Sequence, residues 1–245
     1  MENRDTVEIL GVHVDRSDFA SALEKGKAFL ESDSAHAIYT PNPEIIMKAY
    51  RDAEYTEVLN RADMVIPDGI GVVYGSKIVK RPVKERVAGF DLSCALLEYA
   101  AKAEKKLYLF GGKPGISELA AEKIKERYPG IQIAGTSHGY HESYDHIAPL
   151  IRESGADLVL VCLGAPKQEI WIDTFKEQTG AKVLIGAGGS LDVFAGTVKR
   201  APAFFRKLNL EWFYRLIKQP SRAGRMLDLP RFMIKIMLHG KRQKG

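Results

Sequence analysis

The sequence predicts an α/β fold: a doubly wound, mostly parallel sheet covered by helices on both faces, followed by a basic, amphipathic helical appendage. Short β-branched runs alternate with amphipathic stretches along residues 7–195. Runs such as ADLVLVCLG at 156–164 are apolar at nearly every position, which is typical of parallel strands buried on both faces. The charge balance changes after residue 195. We therefore expect a Rossmann-like domain over residues 1–195 and an appendage over residues 196–245.

Two periodicities predict the individual elements. Strands are expected where short apolar runs end in turn-forming residues, at 7–14, 36–40, 63–69, 106–112, 131–136, 156–164 and 182–189. Helices are expected where apolar residues recur about every three or four positions, at 17–32, 43–62, 90–105, 115–128, 144–154 and 167–178. Because helical stretches separate most successive strands, those strands are expected to run parallel.

Composition and charge exclude several classes of protein. A chain that is 45% hydrophobic is not intrinsically disordered. Residues 196–245 hold 13 of the 36 Lys and Arg residues but two of the 31 acidic residues, so that segment carries +11 and residues 1–195 carry −6. Such a segment is expected to meet an anionic surface. Cys94 and Cys162 lie in apolar stretches, which argues against a disulfide framework or a cysteine metal cluster. With no apolar run of about 20 residues, the protein is expected to be cytoplasmic.

Polar residues and glycines follow the predicted strands. They are Thr40, Asn42, Asp68, Gly111, Gly112, Gly139, Tyr140, the segment 164–168 and the segment 186–192. The carboxyl ends of parallel strands meet at one edge of the sheet, where ligands of such folds bind. One crevice is therefore expected to collect these residues.

Asp68 and Asn42 each have two interpretations. Pro-Asp-Gly is a good turn sequence, which accounts for Asp68 without any chemistry. However, Asp68 ends a buried run and precedes GIGVVYG, which can open a helix whose free N–H groups face an anion. A carboxylate held there can act as a general base on a hydroxyl. Asn42, between the two prolines of TPNPEII, is either a helix N-cap or part of a ligand site.

The glycine-rich turns LFGGKPG and GAGGS permit close approach of backbone to phosphate, which makes Gly112 and Gly188 candidate binding residues. Neither turn fits the dinucleotide pattern G-x-G-x-x-G, and Gly-Lys-Ser/Thr does not occur, so an NAD site and a phosphate-loop NTPase are not supported. Lys167 and Gln168 begin a helix, where a cation opposes the helix dipole. An anionic ligand would reverse that penalty; a solvated surface position is the alternative for Lys167.

No metal or other cofactor is predicted. His138 and His141 have no carboxylate-rich or cysteine partner set, and Asp-x-Asp occurs nowhere in the chain. Tyr140 either stacks on a flat base or is an ordinary rim tyrosine.

The appendage contains two predicted amphipathic helices. In the first, FFRKLNLEWFYRLIKQPSR, one face carries Phe204, Leu208, Trp212 and Leu216. In the second, DLPRFMIKIMLHGKRQKG, the apolar residues are Phe232, Met233, Ile236 and Met237. Apolar faces flanked by Lys and Arg indicate an anionic membrane surface. Packing on the protein's own core is the alternative.

Seven segments in order resemble the WecG/TagA/CpsF family of glycosyltransferases. They are TPNPEI, PDGIGVV, ERVAGFDL, LFGGKPG, GAPKQE, GAGGSLDVFAGTVKRAP and LEWFYRLIKQPSR, and the resemblance spans nearly the whole chain. It implies metal-independent, inverting transfer of N-acetylmannosamine from its UDP sugar to N-acetylglucosamine on undecaprenyl diphosphate, the committed step of wall teichoic acid linkage-unit synthesis. Relatives in this family also use UDP-N-acetylmannosamine uronic acid or UDP-glucose, so the donor stays open.

The resemblance also implies roles for individual residues. Asp68 matches the family's proposed general base and Thr40 its threonine beside the donor. The donor-binding candidates are Asn42, Gly112, Tyr140, Lys167, Gln168, Gly188 and Asp192. The appendage resembles a segment thought to dock on the membrane and bring arginines over the active site, which places the protein at the inner face of the cell membrane. A homo-oligomer is compatible with this interpretation.

Without a metal, cations must stabilise the departing diphosphate, and guanidinium groups bind phosphate oxygens in a bidentate manner. The candidates for the donor or acceptor diphosphate are Arg86, Arg215, Arg222 and Arg225. Two other classes compete: an oxidoreductase on the same fold, and a nucleic-acid binder that uses the basic segment. The ordered motifs argue against both, and the apolar faces of the appendage argue for lipid rather than nucleic acid.

Overall fold

The computed structural model describes residues 4–218, 224 and 227–242. Its strands are β1 (Thr6–Ile9), β2 (Val12–Asp15), β3 (His36–Tyr39), β4 (Met64–Val65), β5 (Lys106–Gly111), β6 (Gln132–Ser137), β7 (Leu158–Cys162) and β8 (Val183–Gly186). The last six form one parallel sheet in the order β4-β3-β8-β7-β5-β6. The predicted α/β class with a parallel, Rossmann-like sheet is confirmed.

Helices precede, connect and follow the strands of this sheet. They are α1 (Phe19–Leu30), α2 (Pro43–Ala49), α3 (Ala53–Asn60), α4 (Ile70–Ile78), α5 (Gly89–Lys102), α6 (Ile116–Arg127), α7 (Ile147–Ser154), α8 (Lys167–Thr179), α9 (Ser190–Phe194), α10 (Ala203–Lys207), α11 (Glu211–Lys218) and α12 (Asp228–Arg242).

Two hydrophobic cores sandwich the sheet. Successive side chains of a strand point to opposite faces. Accordingly Val159 and Val161 of β7 lie in one core, whereas Leu158 and Leu160 lie in the other. Both faces are therefore covered, which explains why the central strands are apolar at every position.

The order of the strands creates a crevice. From β3 the chain moves outward to β4 and then crosses to β5 on the other side of β8 and β7. The neighbours β3 and β8 pair with Ile38 opposite Ile185. After β3 the chain turns toward β4, whereas after β8 it leads to α9, which contacts α6 near the opposite edge of the sheet. Ligands of open α/β sheets bind at such a point, outside the carboxyl ends of the strands.

The N-terminal run differs from the prediction. Residues 7–14 form the antiparallel hairpin β1–β2 rather than one strand, and the hairpin pairs only with itself among the described residues. Leu10 and Gly11 turn the chain with φ of 51° and 90°. Positive φ at both central positions matches the twist of a two-residue hairpin, although leucine is an unusual residue there.

The appendage also differs from two simple amphipathic helices. The predicted first helix is divided into α10 and α11, because Asn209 adopts a left-handed φ of 58° and the N–H of Leu210 closes back onto Phe205. In α12, Phe232 and Ile236 are fully buried against Gly75 of α4. For these two residues the alternative interpretation, packing on the protein's own core, is therefore correct. No helix within 4–218 or 227–242 has the length and apolar character that crossing a bilayer requires.

Candidate active site

Two adjoining cavities lie at the carboxyl edge of the sheet. The inner cavity, of about 140 Å³, is lined by residues that include Thr40, Phe90, Gln168, Ser190 and Arg200. The outer cavity, of about 560 Å³, is lined by residues of the sheet edge together with Trp212, Leu229, Phe232 and Met233 from the C-terminal helices. Both cavities share Asn42, Ile45, Asp68, Ala165, Gly188 and Gly189. A polar chamber and a more apolar cleft therefore meet at Asp68.

Asp68 lies in the turn between β4 and α4. Its N–H donates to the carbonyl of Ile66 at 2.9 Å, and Gly69, with a φ of 105°, lets α4 begin at once. The carboxylate accepts from Arg86 at 3.4 Å and from the N–H of Gly89 at 3.3 Å. Both contacts are long, and the side chain is 27% exposed. The turn interpretation of Asp68 is correct, and the same turn points a carboxylate at the junction of the cavities.

Arg86 and Arg200 share one carboxylate. Glu211, the first residue of α11, accepts from Arg86 at 2.5 Å and from Arg200 at 3.3 Å. Arg200 also forms a bidentate pair with Asp91 of α5, at 2.5 and 2.8 Å. Burial opposes the charge on Arg86, but the carboxylates of Asp68 and Glu211 outweigh it and raise the pKa of the guanidinium. A chain of ion pairs thus runs from the cavity junction to α11.

Thr40 joins the two strands at the crevice. Its hydroxyl donates to the carbonyl of Gly186 at 2.9 Å, which links the end of β3 to the end of β8. Gly89 allows this close packing, because a Cβ there would lie 2.8 Å from the Thr40 methyl group.

Asn42 is the N-cap of α2. Its side-chain oxygen accepts from the N–H of Ile45 at 3.0 Å, and Pro43 occupies the first helical position. The N-cap interpretation is therefore correct. The residue also lines both cavities, so its predicted role in donor binding stays open.

Gln168 holds two loops together. Its side-chain oxygen accepts from the N–H groups of Gly164, at 3.2 Å, and Gly188, at 3.0 Å. Its amide nitrogen donates to Glu169 at 2.7 Å. Gln168 is 1% exposed, although it contributes to the wall of the inner cavity.

Other predicted site residues lie apart from this junction. Gly112, Tyr140, Lys167 and Asp192 are not among the described residues that line either cavity. Tyr140, at the end of the edge strand β6, is 64% exposed. Arg222 and Arg225 lie outside the described residues, as does the side chain of Arg215 on α11. Roles for these residues stay predictions.

Sequence reasoning missed Arg200, Glu211 and Asp91. The segment GTVKRAP was recognised as a motif, but its arginine was not assigned a role. Glu211 is an acid within a segment of net charge +11, and that exception was the signal that could have marked it.

Within 4–218 and 227–242, no three His, Cys, Asp or Glu side chains come together as a metal-binding group. His138 and His141 stack on each other, with ring centroids 4.0 Å apart. Independence of a metal stays a prediction.

This arrangement suits proton transfer beside an anion. The carboxylate of Asp68, which lines both cavities, can accept a proton from a hydroxyl in either one, provided that the hydroxyl comes within hydrogen-bond distance. Guanidinium groups beside it can stabilise negative charge that develops on a leaving group.

The sheet, its edge cavities and the carboxylate at their junction are the arrangement expected of an α/β enzyme whose substrate site lies at the carboxyl edge. Comparison with known proteins identifies the family. The model of the glycosyl transferase WecG/TagA/CpsF family matches residues 7–245. The chain therefore belongs to the WecG/TagA/CpsF family of glycosyltransferases.

Relatives match over almost their whole length. A protein of Bacillus spizizenii is 38% identical over 239 residues, which cover 98% of this chain and 92% of the relative. One of Bacillus subtilis is 39% identical, with 95% and 90% covered. One of Staphylococcus aureus is 39% identical, with 96% and 93% covered. All three are named N-acetylglucosaminyldiphosphoundecaprenol N-acetyl-beta-D-mannosaminyltransferase.

Proposed function

We propose that this protein transfers N-acetylmannosamine from UDP-N-acetylmannosamine to N-acetylglucosamine on undecaprenyl diphosphate, with inversion and without a metal, in the committed step of wall teichoic acid linkage-unit synthesis. The names of its relatives support this acceptor and this sugar. The observation that carries the mechanism is the position of Asp68 at the junction of a polar and an apolar cavity.

The two cavities suit two substrates of different polarity. The inner cavity offers the loop at Gly188–Ser190 and the cation of Arg200, which fit the sugar and diphosphate of the donor. The outer cavity offers Trp212, Phe232 and Met233, which fit the first isoprene units of the acceptor lipid. Asp68 would then face the acceptor hydroxyl on one side and the donor's anomeric carbon on the other.

The reaction is a direct displacement. Asp68 takes the proton of the acceptor hydroxyl while its oxygen attacks the anomeric carbon from the face opposite UDP. The bond from that carbon to the phosphate oxygen breaks, its electron pair leaves with UDP, and the configuration inverts. Arg200, which is 18% exposed and lines the cavity proposed for the donor, stabilises the charge on the departing diphosphate, whereas Arg86, which lines the outer cavity beside Asp68, fits the diphosphate of the acceptor.

The location proposed is the inner face of the cell membrane. Exposed apolar side chains cluster on the C-terminal helices, among them Phe204, Leu208, Phe213, Ile217, Ile234 and Leu238. With the +11 charge of residues 196–245, they support peripheral binding to anionic lipid. The acceptor is a lipid, so enzyme and substrate would meet at that surface.

The test is UDP release from UDP-N-acetylmannosamine with a soluble N-acetylglucosamine-diphosphate-lipid analogue, in EDTA. We expect acceptor-dependent turnover that falls by about 100-fold or more in Asp68→Asn, as for loss of a general base. Asp33→Asn, whose side chain is fully exposed, is the matched control and should keep full turnover. Turnover by Asp68→Asn equal to that of the parent would reject the mechanism. Turnover only with UDP-glucose or the uronic acid donor would reassign the sugar.

A further inference from the structure

A chain of hydrogen bonds among the buried side chains of Gln168, Glu169 and Tyr55, here called the relay, lies beside the cavities. Gln168 bridges the loop after β7, at Gly164, and the loop after β8, at Gly188, through a single oxygen. Both glycines have positive φ, 76° and 55°, which turns their amides away from the strand path. The strands below these loops are joined by backbone bonds as far as Ala187 and Val161, so the separation of the loops beyond that point depends on the orientation of one amide.

Glu169 fixes that orientation. Its Oε1 accepts from Gln168 Nε2 at 2.7 Å, and its Oε2 lies 3.0 Å from the hydroxyl of Tyr55. A second tyrosine, Tyr39, donates to the backbone carbonyl of Glu169 at 3.0 Å. If the Gln168 amide rotated by half a turn, its oxygen would face the Glu169 oxygen and its NH₂ group would face two N–H donors. Rotation is therefore strongly disfavoured.

The burial of Glu169 at this position has an unfavourable free energy of desolvation. Glu169 is 1% exposed, and burial raises the pKa of its carboxyl. A buried carboxyl group destabilises the fold unless its hydrogen bonds compensate for lost solvation. The relay requires an acceptor oxygen toward Gln168, and the hydroxyl of Tyr55 can either donate or accept. Hydrogen-bonding capacity, rather than negative charge, is the property that the geometry uses.

We propose that Glu169 is a positioning residue for donor binding: by orienting the Gln168 amide, it sets the Gly164 and Gly188 loops at the spacing that binds the diphosphate of the nucleotide sugar. The consequence for the donor rests on the proposed function, whereas the effect on the loops does not. Gln168 accordingly acts chiefly through the backbone of two loops.

The test uses an exchange of the two side chains. Gln168→Glu places a carboxylate oxygen against Glu169 and should break the relay. Adding Glu169→Gln to it restores a donor facing an acceptor, with the roles of the two positions exchanged. Glu169→Met removes the acceptor at similar length, and Glu169→Gln alone keeps it. Glu177→Met, on the exposed side of the same helix, is the matched control.

Two readouts are needed, both at pH 8 on the full chain. Amide hydrogen exchange at Gly164 and Gly188 reports the loops, and calorimetric titration with UDP reports donor binding. We expect Gln168→Glu and Glu169→Met to reduce both the amide protection and the affinity for UDP by about 10-fold or more, which is the effect of one unsatisfied buried hydrogen-bonding group. Glu169→Gln, the double variant and Glu177→Met should stay within about 3-fold of the parent.

The outcomes separate the claims. Failure of the double variant to recover protection at Gly164 and Gly188, or unchanged protection in folded Glu169→Met, would overturn the positioning role. Loss in Glu169→Gln equal to that in Glu169→Met would show that charge is required and would overturn it too. If the parent bound no UDP, the proposed donor would be wrong, while amide exchange would still decide the role of Glu169 in the loops.

Discussion

Glu211 offers the sharpest test of how the C-terminal helices are joined to the site. Its side chain is 9% exposed and lies between Arg86 and Arg200, each 18% exposed. Glu211→Gln keeps the shape of the side chain but removes its charge. Both guanidinium groups then lose the carboxylate that they share.

The magnitude follows from these contacts. A hydrogen bond to a charged group contributes about 1.5–3 kcal/mol. The glutamine oxygen still accepts from one guanidinium, and Arg200 keeps its bidentate pair with Asp91, so a loss of about 2 kcal/mol is expected. That equals a change of about 30-fold in an equilibrium constant. The loss should appear as local opening of α11, because Glu211 is the first residue of that helix.

Amide hydrogen exchange is the appropriate assay. Protection along α11 should fall by about 30-fold in Glu211→Gln, while protection of the central strands stays unchanged. Glu98→Gln is the control: it breaks an ion pair with Lys102 in which both side chains are exposed, at 62% and 73%, and should have little effect on stability. Equal protection of α11 in parent and variant would refute the reasoning, as would an equal loss throughout the molecule.

Two further predictions concern packing and pH. Phe232→Ala should weaken the packing of α12 on the core by about 3–5 kcal/mol, because the ring is fully buried against Gly75. Proteolysis of α12 should be faster in this variant than in the control Leu238→Ala, whose side chain is exposed. Burial opposes ionisation of Asp63, but the Ala37 amide and Lys176 outweigh it and lower its pKa. The contribution of Asp63 to stability should therefore be complete above about pH 4 and lost as pH falls further. The free energies of unfolding in urea of the parent and of Asp63→Asn should differ at pH 7 and converge in acid. A difference that stays constant with pH would contradict this.

The sheet edge could be predicted because strand ends are local features. Asp68 and Asn42 follow short apolar runs, and a parallel arrangement brings all such ends to one side. The contacts of Glu211 could not be predicted in this way. The contact with Arg86 joins α11 to a residue 125 positions earlier in the chain, and no periodicity encodes that pairing.

The C-terminal helices show a different limit. An amphipathic pattern predicts that a helix has an apolar face, but it does not specify whether lipid or protein covers that face. In α12, Phe232 and Ile236 pack on the core, whereas Ile234 and Leu238 are exposed. The hairpin β1–β2 was missed for a simpler reason, since Leu10-Gly11 lacks the usual Asn-Gly or Asp-Gly turn sequence.

The packing of α12 has a mechanical consequence. This helix contacts both α2 and α4, and each of those helices starts next to a residue of the cavity junction, Asn42 in one case and Asp68 in the other. A displacement of α12 would therefore be transmitted through both helices to their adjacent N-terminal ends, where Asn42 and Asp68 line the same site. A surface that holds α12 in place would stabilise the positions of Asn42 and Asp68, so the geometry of the candidate site and the attachment of the protein to that surface would be gained or lost together.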